Sequence, residues 1–163
     1  MLRLSEDEVL KGSLLITLYE NLRWKTISPQ GFRDEMLAYL PNESNSLLFS
    51  MALSYLGDCQ RIFPSDSRPL EQALWKIVTT NPVSQHRLQA FRLYRSIADS
   101  EEAVQRLYTL WQERKAPKDC ALSESDYIGL SYILAIHLPE KADKIIATQL
   151  SRIQNPDRKK EYQ

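Results

Sequence analysis

Apolar residues recur along this chain with the period of an α-helix in one stretch after another. In the third such stretch Leu48, Met51, Ala52, Tyr55, Leu56 and Cys59 fall at i, i+3, i+4, i+7, i+8 and i+11, a single continuous stripe. Leu70, Ala73, Leu74, Ile77 and Val78 repeat the pattern, as do Ala90, Leu93, Tyr94 and Ile97, then Val104, Leu107, Tyr108 and Trp111. Leu15, Leu18, Tyr19 and Leu22 mark the first helix, and Phe32, Met36, Tyr39 and Leu40 the second. Ala142, Ile145, Ile146, Leu150 and Ile153 mark the last. No segment alternates with the period of two that a half-buried strand requires. The pattern predicts an all-α chain of about eight helices.

Start and stop signals fall where the periodicity wants them. Ser5 with Glu8, and Ser123 with Asp126, have the spacing of a capping box, in which two orphan amides at a helix start are satisfied reciprocally. Ser28-Pro29 sets a cap residue before a proline at the first helical position, where its missing N–H costs nothing. Ser100-Glu101-Glu102 brings acidic charge to a helix start and Arg114-Lys115 basic charge to its end, both favourable to the macrodipole. Pro41, Pro64, Pro82, Pro117 and Pro139 punctuate the boundaries, because proline disfavours helix in the residue before it.

The seventh helix differs from the rest. Tyr127, Ile128, Leu130, Tyr132, Ile133, Leu134, Ala135 and Ile136 make residues 126–137 apolar almost all round. Such a helix is expected to be buried on most sides, between its neighbours. The helices are expected in antiparallel pairs, 6–24 with 29–40, 43–62 with 67–80, 84–98 with 100–115, and 124–137 with 139–154. Pair starts spaced by about 40 residues match HEAT-like repeats, although the pairs share little sequence, so the architecture expected ahead of a helical bundle is an irregular HEAT-like α-solenoid, a right-handed superhelical array. No domain boundary stands out. Residues 1–163 read as a single helical domain, and its longest loop, residues 115–122, is short enough to be a connection.

Composition narrows the function classes. The chain has 163 residues, enough for one domain with a core, and 21 basic residues balance 21 acidic ones. A neutral chain lacks the electrostatic footprint of a nucleic-acid binder, so no nucleic-acid partner is expected. Cys59 and Cys120 give no disulfide framework, and Cys59 on its stripe reads as a small hydrophobe. The first residues lack the basic and apolar regions of a signal peptide, and no stretch is long and apolar enough to span a bilayer. A soluble piece with no membrane partner is the expectation.

Candidate chemistry is sparse. His86 and His137 are the only histidines, no His-x-x-x-His or Cys-x-x-Cys occurs, and a zinc site therefore lacks ligands. His137 ends an apolar helix, where a histidine satisfies carbonyls and the dipole, and His86 in a first turn is expected to be exposed. Gly12, Gly31, Gly57 and Gly129 form no phosphate-cradling loop, and no Gly-x-Ser-x-Gly elbow is present. Glu101-Glu102 reads as helix N-terminal charge. Trp24, Trp75 and Trp111 read as core. The chain taken alone is not expected to be an enzyme, and no catalytic residue, metal ligand or cofactor is assigned to it.

Several stretches resemble the C-terminal helical region of zinc aminopeptidases of the aminopeptidase N type. They are Leu18-Tyr19-Glu20-Asn21, Pro69-Leu70-Glu71-Gln72-Ala73-Leu74-Trp75, Ala90-Phe91-Arg92-Leu93-Tyr94-Arg95-Ser96-Ile97-Ala98 and Leu107-Tyr108-Thr109-Leu110-Trp111. Leu122-Ser123-Glu124-Ser125-Asp126-Tyr127 and the closing Arg152-Ile153-Gln154-Asn155-Pro156-Asp157-Arg158-Lys159 add to the likeness. It covers nearly the whole chain and is best to forms from Bacteroides-like bacteria. The resemblance implies a fragment excised from a longer metallopeptidase, periplasmic or cytoplasmic, that removes N-terminal residues from peptides. The catalytic domain of such a parent carries zinc on His-Glu-x-x-His with a downstream glutamate, and a Gly-x-Met-Glu-Asn segment for the free amine. None of these occurs here. The implied role is to pack over that catalytic domain and wall off its cavity, with the catalytic domain and the peptide substrate as partners. Arg158 is the candidate for a contact with the peptide's carboxylate, and Arg92 and Arg95 lie in a matching segment. A free-standing helical adaptor that holds a peptide in a groove is the alternative.

Overall fold

Residues 7–162 are described by the computed structural model, and every regular element among them is helical. The helices are α1 Glu8–Arg23, α2 Pro29–Tyr39, α3 Ser46–Ile62, α4 Arg68–Thr80, α5 Ser84–Ile97, α6 Glu101–Glu113, α7 Glu124–His137, α8 Ala142–Arg152 and α9 Pro156–Tyr162. No helix among them is long and apolar enough to cross a membrane.

The caps explain most of these boundaries. Ser28 Oγ accepts from the Gly31 amide with Pro29 at the first position, and Ser100 Oγ accepts from the Ala103 amide. At α7 the Ser123–Asp126 box is complete in both directions. Ser5 lies outside the described residues; α1 is capped by Asp7, whose carboxylate accepts from the amides of Val9 and Leu10. The end of α1 carries no glycine, yet Lys25 takes the left-handed conformation at φ 60°. Its amide donates to Leu22 and that of Thr26 to Asn21, the pair of bonds that closes a Schellman turn. Trp24 sits at the cap of that turn and is 79% exposed, which corrects its reading as core.

The described chain divides into two compact units, the first ending at Ile97 and the second beginning at Ala98. In the first, α3 lies against α1, α2 and α5, while α4 packs chiefly on α5. The expected partnership of α3 with α4 is thus replaced by α3 with α5 and α4 with α5. The reason lies in α5, which presents side chains to both neighbours. His86 stacks on Phe49 of α3, and Tyr94 meets Trp75 of α4 with ring centroids 5.2 Å apart. Gly57 lets α5 come close to α3, since a Cβ there would lie 2.9 Å from Leu93 Cδ1. Phe32, Met36, Phe49, Leu56, Cys59, Leu74, Phe91 and Tyr94 form the fully buried centre of this unit.

In the second unit α7 packs on α6 and α8. Leu107, Trp111, Leu130, Leu134 and Ile145 are its core. Trp111 Nε1 donates to the buried Gln149 Oε1 at 2.9 Å, and the Arg152 guanidinium lies 4.8 Å over the indole. Arg152 also donates to the carbonyls of Trp111 and Gln112, closing the C-terminal end of α6. The seventh helix is buried on one side only. Tyr127, Leu130, Ser131 and Leu134 face inward, whereas Ile136 is 72% exposed and Tyr132 45%. The expected helix 139–154 is divided, with a 3-10 turn at Pro139–Lys141 ahead of α8.

Beyond the helices that the periodicity predicts, residues 156–162 fold as α9. Asn155 Oδ1 accepts from the amides of Asp157 and Arg158, and Pro156 takes the first helical position. Tyr162 is buried and its hydroxyl bonds Ser131 Oγ of α7 at 2.7 Å.

Candidate functional site

The densest buried polar chemistry of the first unit gathers between α2 and α3. Pro41 lies in a 3-10 turn, Leu40–Asn42, that follows α2, and the chain then places Glu43 inside, 4% exposed. Its Oε2 accepts from the Tyr39 hydroxyl and, at 3.3 Å, from Lys11 Nζ of α1. Its Oε1 accepts from the Asn45 amide at 2.6 Å. Asn45 Oδ1 in turn caps α3 by accepting from the amides of Leu47 and Leu48. The next residue, Ser46, shares a hydrogen bond of 3.0 Å with His86 Nε2 of α5. Four helices therefore meet at residues 43–46.

The electrostatics follow from this geometry. Burial pushes the Glu43 carboxyl up, but donation from Tyr39, the Asn45 amide and Lys11 outweighs it and holds the group below its ordinary 4.5. Burial raises the Tyr39 phenol, and the adjacent carboxylate raises it further. Burial lowers His86 below its ordinary 6.5, and the negative charge of Glu43 opposes this. Glu43 is thus ionised and His86 neutral at neutral pH. His86 is fully buried, its ring parallel to Phe49 with centroids 3.9 Å apart, which corrects the expectation of an exposed histidine.

Ser46 and His86 have the spacing of a nucleophile and its base, but among the described residues no carboxylate bonds the other nitrogen of the ring. The nearby carboxylate is committed to Tyr39, Lys11 and Asn45, so no acid orients the imidazole. The amides of Leu47 and Leu48 already serve Asn45, which removes them as oxyanion donors. What the arrangement can do is fasten four helices to one another.

A groove of about 310 Å³ opens on the same unit, lined by Leu37, Pro41, Ala73, Lys76, Ile77 and Pro82 among others. Ala73, Lys76, Ile77 and Thr80 are one stripe of α4. Asn81 and Pro82 form its lip, and that lip is tied to α5: Arg87 Nε donates to the Asn81 carbonyl, and Asn81 Oδ1 accepts from the Val83 amide at 2.9 Å.

The remaining sequence candidates are dispersed. Cys59 is buried against Arg33 Nη1 and the Pro29 carbonyl, both 3.7 Å away, and burial pushes its thiol up, so it stays a hydrophobe. Cys120 is buried in the other unit. His137 ends α7, and Glu101 and Glu102 open α6, where Glu102 pairs with Arg106. Arg92 is exposed and Arg95 half-buried on α5. Arg158 stands on α9 with Nη1 3.2 Å from Glu124 Oε1. Glu124 also accepts from the Gln154 amide, so the pair ties α9 to the start of α7. The pattern places Tyr39 on an apolar stripe but gives no sign of its junction with Lys11 and Glu43, because Lys11 lies 32 residues from Glu43 and nothing local announces the pair.

His86 has one nitrogen on Ser46 and its ring against Phe49, and among the described residues no three His, Cys, Asp or Glu side chains converge as ligands. Compared with models of known families, with curated proteins and with solved structures, the chain matches none.

Proposed function

We propose that this chain is the noncatalytic C-terminal helical module of a zinc aminopeptidase, packing over the catalytic domain of the same polypeptide and limiting which peptides reach its cavity. The observation that carries this reading is the ordered run of segments from Leu18 to Lys159 that resemble that region of the aminopeptidase N family. Leu70, Leu74, Ala90, Phe91, Tyr94, Leu107 and Trp111 of those segments are buried, so the likeness lies in residues that build helices and their packing. A scaffold is what such residues make. In this reading zinc and the hydrolytic groups belong to the parent's other domain, in a periplasmic or cytoplasmic enzyme. Residues 1–163 act together as one module in the parent. Arg158 is the residue offered to a peptide's carboxylate, and it does so by giving up Glu124.

The groove beside α4 favours a second reading, a helical adaptor that takes a peptide's apolar side chain between Leu37 and Ile77. The two readings share a consequence for the isolated chain. Incubated with zinc and aminoacyl-p-nitroanilides, the purified protein is expected to show no turnover and less than one bound zinc per chain. Zinc-dependent turnover that co-elutes with the protein would overturn both.

A further inference from the structure

His86 is held in a way that admits only the neutral ring. Its side chain is fully buried, one face lies flat on Phe49, and Nε2 is engaged by Ser46 Oγ. Its other nitrogen, Nδ1, is buried with no hydrogen-bond partner among the described residues, and one turn on, Gln89 Oε1 is in the same condition. The neutral imidazole that suits this site best leaves Nδ1 unprotonated and donates from Nε2–H to Ser46. The imidazolium carries a proton on both nitrogens, and the second would be buried without a hydrogen-bonded acceptor, a cost of desolvation that the field of Glu43 opposes only in part.

The surrounding charges give little help. Glu43, before α3, is the anion whose field reaches the ring, but its oxygens are occupied by Lys11 of α1, Tyr39 of α2 and the Asn45 amide. Asp58 and Arg61 lie in the last turns of α3 and pair with each other. Arg68, Glu71 and Lys76 on α4, and Arg87, Arg92 and Arg95 on α5 itself, complete the charged groups on the packed helices. None of them figures in the shift of the ring.

We propose that His86 is an acid-operated latch: neutral, it clamps the first turn of α5 to the start of α3, and on protonation it leaves the Phe49 face and releases that turn together with the Asn81–Pro82 lip of the groove. The coupling to the lip is covalent and hydrogen-bonded, through Arg87 to the Asn81 carbonyl and through Asn81 to the Val83 amide. Acidification therefore loosens the groove from its α5 side. This goes beyond the proposed scaffold role and holds whichever protein the groove serves.

The sign follows from linkage. A histidine whose value in the closed state lies below the ordinary 6.5 binds its proton more readily once released, so opening becomes easier as pH falls below 6.5. One proton makes the opening equilibrium rise by up to about tenfold per pH unit until the closed-state value is reached.

The test is amide exchange of the full chain at several pH values between 6.5 and 5, corrected for intrinsic rates, beside the variant His86→Phe, which keeps the stack and takes no proton. The wild type is expected to lose protection in the first turns of α3 and α5 with that slope, and His86→Phe to show none. Nitrogen NMR of the wild type supplies a readout independent of the variant's folding. It should show His86 in the single tautomer with Nε2 protonated at pH 6.5. Retention of the acid slope by His86→Phe would overturn the latch. So would a His86 ring that titrates near 6.5 while protection stays constant.

Discussion

Glu43→Ala is expected to lower the stability of the first unit by about 3–5 kcal/mol, measured by urea unfolding at pH 7. The loss comes from what the substitution leaves behind. The Lys11 ammonium, the Tyr39 hydroxyl and the Asn45 amide all point at one carboxylate, and without it each is stranded in or near the core. The Lys11 side chain keeps 18% of its surface exposed and can recover some water, so Lys11→Met should cost less than Glu43→Ala. The same carboxylate makes the fold acid-sensitive. Because Glu43 is held below its ordinary 4.5, its contribution is complete above that value and is lost as pH falls through the folded-state value. Glu43→Gln should remove this part of the acid dependence while keeping much of the volume. A Glu43→Ala variant as stable as the wild type would show that the junction fastens nothing.

Trp111→Ala is expected to cost about 3–5 kcal/mol in the second unit, the range for deleting a large buried aromatic. The indole is 3% exposed, and three separate groups are organised on it: Gln149 through Nε1–H, Arg152 over its face, and Tyr108 with ring centroids 6.0 Å away. Losing it leaves the Gln149 carbonyl buried without its donor. Trp111→Phe separates the two contributions, because it keeps most of the apolar volume and removes only the N–H. Its loss should match that of Gln149→Leu, about 1–3 kcal/mol each, and the double variant should cost less than their sum. Strict additivity would mean that the bond between them contributes nothing.

The helices were legible because their signals are local. Period, Ser caps and proline positions place α7 to the residue, α2 to within one residue at its end, and most of the others to within a few residues. What was not legible depends on how two distant surfaces fit. The pairing of α5 with both α3 and α4 rests on Gly57 facing Leu93 and on Tyr94 meeting Trp75, none of which has a signature along the chain. The burial of His86 was readable in principle. It lies four residues before Ala90 and eight before Tyr94, on the apolar stripe of α5, so period pointed inward while polarity pointed out, and period won. Trp24 was misread for the opposite reason: it lies off the stripe of Leu15 and Leu22, at a left-handed turn that no glycine announces. The helix α9 carries in Asn155-Pro156 the same cap-then-proline signal that marked α2, and only its short length hid it.

Helices, caps and core follow from the residues, while the link to aminopeptidases rests on resemblance in segments that pack. The aminopeptidase proposal is decided by the identity of the native polypeptide that carries these helices, recovered with an antibody to this chain and read by mass spectrometry. One longer polypeptide is expected, in which His-Glu-x-x-His peptides share the molecule with these segments, together with a precipitate that removes N-terminal residues from peptides. A free polypeptide of 163 residues, recovered without aminopeptidase activity, would contradict it.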